Sequence, residues 1–299
     1  MRNRPAPDQP DNTAMRVVSY NIQFGTGKDG KVDLRRIAAD IGDADIIAMQ
    51  EVERFFSSSG NTDQVAELAA LFPEHFHVYG AGVDVDAATL DDRGRRRQFG
   101  NMLLSRWPIT SSRNHLLPKT NYIDQLALQR SALEGVINTP LGGNRVYSVH
   151  LGHVGAPERR AQIAALMSII RNAPTDGGVI SGRRLSNHWT ADGVLPSMPA
   201  PAIILGDLNL TPDDDEYELL VGECDLKYGR LSTKRLLIDA WISAGSDAVG
   251  GHTDLGSSRG ARRLDYAFLT PDLVEHLVSV SVDAQAQGSD HQPLEVIFE

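Results

Sequence analysis

Six short apolar segments of this 299-residue chain each end in, or lead directly into, residues that can bind a metal or transfer a proton. Runs of about four to eight β-branched and aliphatic residues are typical of buried strands, and a polar residue after such a run lies where the strand leaves the core. The polar residues concerned are Asn21, Glu51, His150, Asp207 with Asn209, Asp265, and Asp290 with His291. Because they span almost the whole chain, we predict one domain, residues 15–299, whose strand ends meet at one polar site.

Helix-like and strand-like segments alternate in both halves of the chain. The apolar spacing predicts helices that begin near Asp33, Val65, Pro157 and Pro212. It predicts strands over residues 16–20, 45–50, 75–79, 100–105, 132–137, 145–149, 202–205, 263–269 and 294–298. This pattern indicates an α/β fold in which two packed, mixed β-sheets are flanked by helices, a four-layer α/β/β/α sandwich.

The composition restricts where the protein acts and on what. The net charge is -10 and the pI is near 5.4, so nucleic acid would have to be held by a local basic patch. The single cysteine, Cys224, excludes an intrachain disulfide. No apolar stretch approaches the ~20 residues of a membrane span. Residues 1–14 are polar and Pro-rich, which predicts a disordered tail rather than a signal peptide and favours the cytoplasm.

The densest basic run, residues 93–97, contains four arginines. It lies in the polar segment 81–98, which we predict to be a long loop. The run forms either a solvated loop whose positive charge Asp91 and Asp92 offset, or a basic rim that binds phosphate or a headgroup.

Residues 173–201 join a predicted helix to a predicted strand through a segment rich in Gly, Pro and polar side chains. Connections of this kind usually take about two to six residues, so the segment is an insertion. If His150 and Asp207 end their strands at the active edge, the helix between them runs back to the far edge, where the insertion starts. We therefore predict that the insertion is a distal surface or subunit contact, with His188 and Trp189 as a candidate binding surface.

Glu51 and Asn21 follow neighbouring candidate strands. The carboxylate of Glu51 either caps the next segment or binds a cation. If the two strands are parallel neighbours, the side chain of Asn21 lies beside it. Hard oxygen ligands suit Mg²⁺ or Mn²⁺ and do not suit zinc, which prefers Cys and His.

The segment Gly206-Asp207-Leu208-Asn209 is the strongest single motif. Residues two apart on an extended segment point the same way, so Asp207 and Asn209 would reach one spot. The carboxylate can orient and deprotonate a water, and the amide can donate to a phosphoryl oxygen. The alternative is a turn in which both side chains satisfy their own backbone.

Two histidines have settings that suit catalysis. His291 precedes the last strand and has Asp265 as a candidate partner, which would fix its tautomer and raise its basicity. His150 ends an apolar run and could supply a second imidazole, although by itself it is also an ordinary structural histidine.

Taken in order, these residues resemble the endonuclease/exonuclease/phosphatase superfamily, the deoxyribonuclease I-like metal-dependent phosphoesterases. The resemblance extends from Met15 to Phe298. It rests on Ser19-Tyr20-Asn21, Met49-Gln50-Glu51, Asn101-Met102-Leu103-Leu104-Ser105, Ser148-Val149-His150-Leu151, Gly206-Asp207-Leu208-Asn209, Arg263-Leu264-Asp265-Tyr266 and Ser289-Asp290-His291-Gln292-Pro293-Leu294.

The resemblance implies a metal-dependent phosphoesterase site. Its metal, Mg²⁺ or Mn²⁺, would be held chiefly by Glu51 with help from Asn21, and by Asp290 on the facing side. The catalytic roles it implies are Asp207 activating water, Asn209 and His150 on the phosphate, and His291 with Asp265 as an acid, a base or an electrostatic clamp.

The substrate is the least constrained part of this prediction. Arg263, Arg130 and Arg96 are candidate substrate-binding residues because they lie near the predicted site loops. The few cations and the 6% aromatic content favour a small phosphodiester or phosphomonoester, such as a lipid headgroup or a sugar phosphate. The alternative is a nuclease acting on DNA or RNA. A non-catalytic binding module is less favoured, because it would be expected to have lost Glu51, Asp207 or His291 and all three are present.

Overall fold

Two six-stranded β-sheets with helices outside them form the body of the protein. The structure is a computed structural model that describes residues 14–87, 93–181, 197–247, 250–256 and 260–299. The strands are β1 (Met15–Asn21), β2 (Ile46–Arg54), β3 (Phe76–Asp86), β4 (Arg96–Ser105), β5 (Ile109–Leu116), β6 (Ser131–Thr139), β7 (Gly142–His150), β8 (Ala202–Asp207), β9 (Cys224–Asp225), β10 (Gly229–Arg230), β11 (Ile238–Asp239), β12 (Asp265–Leu269), β13 (Leu277–Val282) and β14 (Leu294–Phe298). The α-helices are α1 (Leu34–Ile41), α2 (Gln64–Leu71), α3 (Ala156–Asp176), α4 (Asp215–Val221) and α5 (Ala240–Ser243). One sheet has the order β13-β14-β1-β2-β4-β3 and the other β11-β12-β8-β7-β6-β5.

One parallel strand pair in each sheet brings the candidate residues to the same edge. β1 runs parallel to β2, with Asn21 opposite Gln50. β7 runs parallel to β8, with His150 opposite Asp207, and β12 is antiparallel to β8, with Asp265 also opposite Asp207. Because parallel neighbours end at one edge of a sheet, the polar residues that follow them lie together. We call this side of the sandwich the polar edge.

Apolar side chains alternate between the two faces of each sheet. Along β1, Val17 packs between the sheets in one cluster with Leu133 and Ile203 of the second sheet. Its neighbour Val18 faces outward, toward Ile37 of α1, as the period of two in a strand requires. A third cluster joins α3 and α4 to the outer face of the second sheet. The four layers predicted from the sequence are confirmed.

A polar bridge joins the two sheets beneath the polar edge. Gln50 Nε2 donates to Ser148 Oγ at 2.9 Å, and that hydroxyl donates to the carbonyl oxygen of Met49 at 3.0 Å. From β4, Asn101 Nδ2 donates to the carbonyl oxygens of Ser131 and Ser148 at 2.9 and 3.0 Å. All of these groups are buried or at the interface, where a donor without an acceptor would cost about 1–3 kcal/mol. The bridge therefore fixes how the strand ends of one sheet face those of the other.

The helix predicted to begin at Asp33 is confirmed, but some segments differ from the prediction. Asp33 caps α1 by accepting from the backbone N–H groups of Arg35 and Arg36. The predicted loop 81–98 is wrong at both of its ends, because β3 continues to Asp86 and β4 begins at Arg96. The alternating valines of the outgoing strand pair with residues 97–99, so the segment is a long hairpin.

The two stems of the predicted insertion 173–201 lie at the side opposite the polar edge. α3 continues to Asp176, and Arg145, near the start of β7, donates to the carbonyl oxygen of Pro199. Residues 182–196, which include His188 and Trp189, lie outside the described residues, as do residues 1–13 of the predicted tail. The role of the insertion as a distal contact stays a prediction. Within the described ranges, no helix has the length and apolarity needed to cross a membrane.

Candidate active site

Side chains from both sheets meet around Asp207 at the polar edge. Asn21 Nδ2 donates to Asp207 Oδ2 at 3.0 Å and lies 3.4 Å from Glu51 Oε1. Two imidazoles approach the same carboxylate, with Nε2 of His150 3.4 Å and Nε2 of His291 3.8 Å from Asp207 Oδ2. The structure thus brings together residues that are up to 270 positions apart in the chain, since Asn21 and His291 both touch this group.

The backbone at Glu51, Gly206 and Asn209 adopts conformations that most residues avoid, with a φ of 51° at Asn209. Glu51 has a φ of 61°, and the pairing register of β2 with β4 shifts at this point, which turns the carboxylate out of the strand. Gly206 has a φ of 145°, and a Cβ there would lie 1.9 Å from the carbonyl oxygen of Val149. Only glycine fits before Asp207 for this reason. Such outliers concentrate at functional sites, where the surrounding structure holds them in place.

Two carboxyl groups of the site, Glu51 and Asp207, have raised pKa values in the metal-free protein. Burial raises the pKa of Glu51 to about 7, against the attraction of Arg130. Burial also raises the pKa of Asp207 to about 6; His291 lowers it and Asp265 raises it. Both shifts have burial as their main cause, because an ionised carboxylate is less well solvated inside the protein than in water.

Arg130 fixes the protonation of His150. Its Nη1 lies 3.0 Å from His150 Nδ1, and a guanidinium can only donate, so Nδ1 accepts and the ring proton is on Nε2. Burial lowers the pKa of His150 well below its ordinary value, and the positive charges of Arg130 and His291 lower it further. His150 is therefore a neutral imidazole that presents an N–H to the site.

Asn209 places a second donor beside that N–H. Its Nδ2 lies 3.1 Å from His150 Nε2 and donates to the carbonyl oxygen of Leu151 at 3.2 Å, which fixes the orientation of the amide. Its backbone N–H donates to Asp207 Oδ1 at 2.8 Å. Two N–H groups this close cannot bond to each other. A single oxygen atom within reach of both would accept from both, as a phosphoryl oxygen can.

His291 and Asp265 form a tightly bonded pair. The distance from His291 Nδ1 to Asp265 Oδ2 is 2.6 Å. Burial alone would lower the pKa of His291, but the carboxylates of Asp265, Asp207 and Asp290 raise it well above its ordinary value. The ring is therefore a cation at neutral pH. Its other nitrogen, Nε2, faces Asp207.

Two of the predicted substrate-binding arginines are not in the site. Arg263 is 3% exposed and its guanidinium lies 3.2 Å from a carboxylate oxygen of Asp239. Arg96 is exposed on the β3–β4 hairpin, where its Nε lies 2.7 Å from Asp84 Oδ1. The prediction that these side chains bind substrate therefore has no support in their placement. Arg130 does reach the site, through His150.

Asp290 lies at the rim of the site. Its Oδ2 accepts from Gln23 Nε2 at 2.8 Å, and Oδ1 lies 3.2 Å from the hydroxyl oxygen of Ser289. That hydroxyl donates to the carbonyl oxygen of Asn21 at 2.7 Å. The predicted metal-binding role of Asp290 stays a prediction.

The sequence reasoning missed two residues that support the site. His153 accepts from Arg130 Nη2 at 3.1 Å, so one guanidinium holds two imidazoles, and the only sequence signal was its spacing of three from His150. Thr253 Oγ1 accepts from the backbone N–H groups of Leu264 and Asp265 at 3.1 and 3.0 Å. No pattern in the sequence joins Thr253 to that strand.

The donor set fits a hard divalent cation. Among the described residues, no three His, Cys, Asp or Glu side chains are arranged to hold a metal. Mg²⁺ usually takes one or two carboxylates and completes its octahedron with waters and substrate phosphates, so the single carboxylate of Glu51 would be enough to hold it. Asn21 turns Oδ1 to the backbone N–H of Gln23 and Nδ2 to the carboxylates, so in this arrangement it orients them.

The raised pKa of Glu51 predicts that the free energy of unfolding of the metal-free protein depends on pH. The unfolded chain releases this proton near the ordinary value of 4.5, whereas the folded protein holds it to about 7. Between these values the folded state binds more protons, so the free energy of unfolding falls as the pH rises. In EDTA, Glu51→Gln should therefore gain about 1–3 kcal/mol over wild type between about pH 5 and 8, measured by urea denaturation. A difference that stays constant over this range would contradict the assignment.

A family of known proteins matches most of this chain. A sequence model of the Endonuclease/Exonuclease/phosphatase family matches residues 18–291, most of the chain. A search of curated protein sequences gives no significant match.

Solved structures of the same fold cover almost all of the chain. An endonuclease/exonuclease/phosphatase from Beutenbergia cavernae superposes with a TM-score of 0.65 at 23% identity, over 96% of this chain and 71% of the other. A second, from Bacteroides vulgatus, gives 0.64 at 19% identity, over 96% and 98%. A mannosyl-6-phosphatase from Bacteroides thetaiotaomicron gives 0.60 at 16% identity, over 94% and 98%.

Proposed function

Because this chain belongs to the endonuclease/exonuclease/phosphatase family, we propose that it is a divalent-metal-dependent phosphoesterase that hydrolyses a small phosphodiester or phosphomonoester. The family supports phosphoesterase chemistry in general. The observation that carries the proposal is the position of Asp207, within 4 Å of two differently protonated imidazoles and of the amide of Asn21.

Each residue around Asp207 has a distinct task in this reaction. The Asp207 carboxylate, with a pKa of about 6, accepts a proton from water at neutral pH. The N–H groups of neutral His150 and Asn209 donate to a phosphoryl oxygen as its charge grows. The cationic ring of His291, held by Asp265, faces the same carboxylate and supplies positive charge or a proton.

The metal held by Glu51 would withdraw charge from a phosphoryl oxygen and orient it for in-line attack. The carboxylate of Glu51 is suited to this because its pKa of about 7 falls when a cation binds beside it. Asn21 holds both Glu51 and Asp207 in place.

The cations near the site favour a small substrate over duplex nucleic acid. Duplex binding depends on several phosphate contacts from Lys and Arg. Arg96 is paired with Asp84, the guanidinium of Arg95 lies 4.9 Å from the ring centroid of Phe55, and Arg263 is buried. We therefore propose a lipid headgroup or sugar phosphate as the substrate class. The similarity to a mannosyl-6-phosphatase is in keeping with it, although at 16% identity it shows the fold alone.

Removal of the metal should abolish activity. Without a cation at Glu51, the charge on the phosphoryl oxygen is not withdrawn and the two carboxylates repel the substrate. We expect EDTA to stop hydrolysis of bis-p-nitrophenyl phosphate, and Mg²⁺ or Mn²⁺ to restore it, measured by p-nitrophenol release. Metal-independent turnover would contradict the proposal. A panel of plasmid DNA, RNA, phosphoinositides, sphingomyelin and sugar phosphates, each tested for hydrolysis with Mg²⁺ present, identifies the substrate, and preferred cleavage of DNA or RNA would make the protein a nuclease.

We also propose the cytoplasm as the site of action. Cys224 is a free, exposed cysteine, which suits a reducing compartment. Cell fractionation with a compartment-specific thiol reagent tests this.

A further inference from the structure

A cavity of about 550 Å³ lies at the side of the sandwich opposite the polar edge. Its wall includes Arg145 near the start of β7, Ala200 just before β8 and Thr270 just after β12. The same three strands carry site residues at their other ends. With a rise of about 3.3 Å per residue, the cavity is roughly 15–20 Å from those residues. Its volume is in the range of small-molecule sites.

Positive charge converges on this cavity. Arg145, Arg171, Lys234 and Arg235 line it, and Asp272 is a carboxylate that lines it as well. Within the described part of the chain, none of the four cations has a carboxylate within 4.0 Å. The protein as a whole has a net charge of -10, so four cations beside one carboxylate make the lining of this cavity more positive than the chain on average.

Arg145 is a buried cation whose hydrogen-bond partners are all neutral. Its side chain is 1% exposed, and a buried charge normally has an ionic partner. Here the partners are neutral: the guanidinium donates to the carbonyl oxygens of Ile170, Pro199 and Ala200 and to the hydroxyl of Tyr147. The nearest carboxylate along this network, Glu134, accepts from Tyr147 but is already paired with Arg113 at 2.8 Å.

The cavity wall also has an apolar part, which would contact an apolar group of a ligand. Met167 and Leu236 lie on the wall, beside the exposed cations Arg171 and Lys234. Arginine and lysine bind phosphate through charge-assisted hydrogen bonds, and an apolar wall gains from a ligand with an apolar group. We propose that the cavity binds an organic phosphate whose phosphate group contacts Arg171, Lys234 and Arg235 and whose apolar group lies along Met167 and Leu236.

A non-hydrolysable probe tests this binding apart from catalysis. Calorimetry in EDTA would compare phenylphosphonate with inorganic phosphate. We expect phenylphosphonate to bind more tightly, and the exposed-residue variant Lys234→Ala/Arg235→Ala to weaken that binding by at least about tenfold, because two charge-assisted contacts are lost. The matched control is Lys31→Ala/Arg35→Ala, which removes two exposed cations near α1 and should bind as wild type does.

Methyl NMR locates the probe. The chain has six methionines, and Met167→Leu assigns the resonance of the one on the cavity wall. Phenylphosphonate should shift this resonance in wild type and in the control at the same concentrations, and in Lys234→Ala/Arg235→Ala only at concentrations at least about tenfold higher. Equal affinities of the two double variants, or an unshifted Met167 methyl at saturation, would overturn the proposal. Neither result depends on whether the protein hydrolyses phosphate esters.

Discussion

Asp207→Asn is expected to lower kcat by about 10²–10⁴-fold, the range for loss of a general base. Asparagine has the same shape, and its amide oxygen can still accept from Asn21 Nδ2, which lies 3.0 Å from Asp207 Oδ2 in the wild type. It cannot take a proton from water. Because the change removes a transition-state role and leaves the donors to the phosphate in place, KM should change little.

Steady-state kinetics with bis-p-nitrophenyl phosphate and Mg²⁺ measure this effect. The matched control is Asp213→Asn, an exposed carboxylate six positions further along the same loop, whose loss should leave kcat within about twofold of wild type. Asp207→Asn should still fold. Burial raises the pKa of Asp207 to about 6, which reflects the free-energy cost of burying its charge, and a neutral asparagine does not have that cost. A kcat within tenfold of wild type would assign the water to another base.

The site could be predicted because its residues follow strands that recognisable apolar runs define. Parallel pairing then dictates that Asn21 lies beside Gln50 and His150 beside Asp207, whatever the loops between them do. No such rule determines where a side chain outside a strand points. Arg263 lies two residues before β12, and it packs toward Asp239 of β11, a strand of two residues that no sequence pattern reveals.

The strands that escaped prediction are mostly at the edges of the sheets. β5 and β13 are the outer strands of their sheets, each with a neighbour on one side only. β5 therefore alternates between half-buried and exposed residues and carries few apolar ones. Along β13, valine and serine do alternate with a period of two, but burial is shallow and the signal is short. The hairpin formed by β3 and β4 was missed because arginines and aspartates pair across it, as Arg96 does with Asp84.

His291→Ala is expected to lower kcat by about 10²–10⁴-fold, because it removes the one imidazole that the carboxylates keep protonated at neutral pH. Asp265→Asn should cause a comparable loss, since Asp265 contributes most to raising the pKa of His291 and bonds to its Nδ1 at 2.6 Å. The double variant should be little worse than either single one, because residues that act as a unit are not additive. The matched control is His77→Ala, an exposed histidine on β3.

The leaving group decides which role His291 has. If it donates a proton, the loss in His291→Ala should be large for an alkyl phosphate ester, whose alkoxide leaves poorly, and small for a p-nitrophenyl ester, whose phenolate leaves unaided. The kcat of the wild type on the alkyl ester should then fall as the pH rises through the raised pKa of His291. If it is an electrostatic clamp, both esters should lose the same factor, because charge on the phosphoryl oxygens is stabilised whatever leaves. A His291→Ala protein that keeps near-full activity on both esters would exclude both roles.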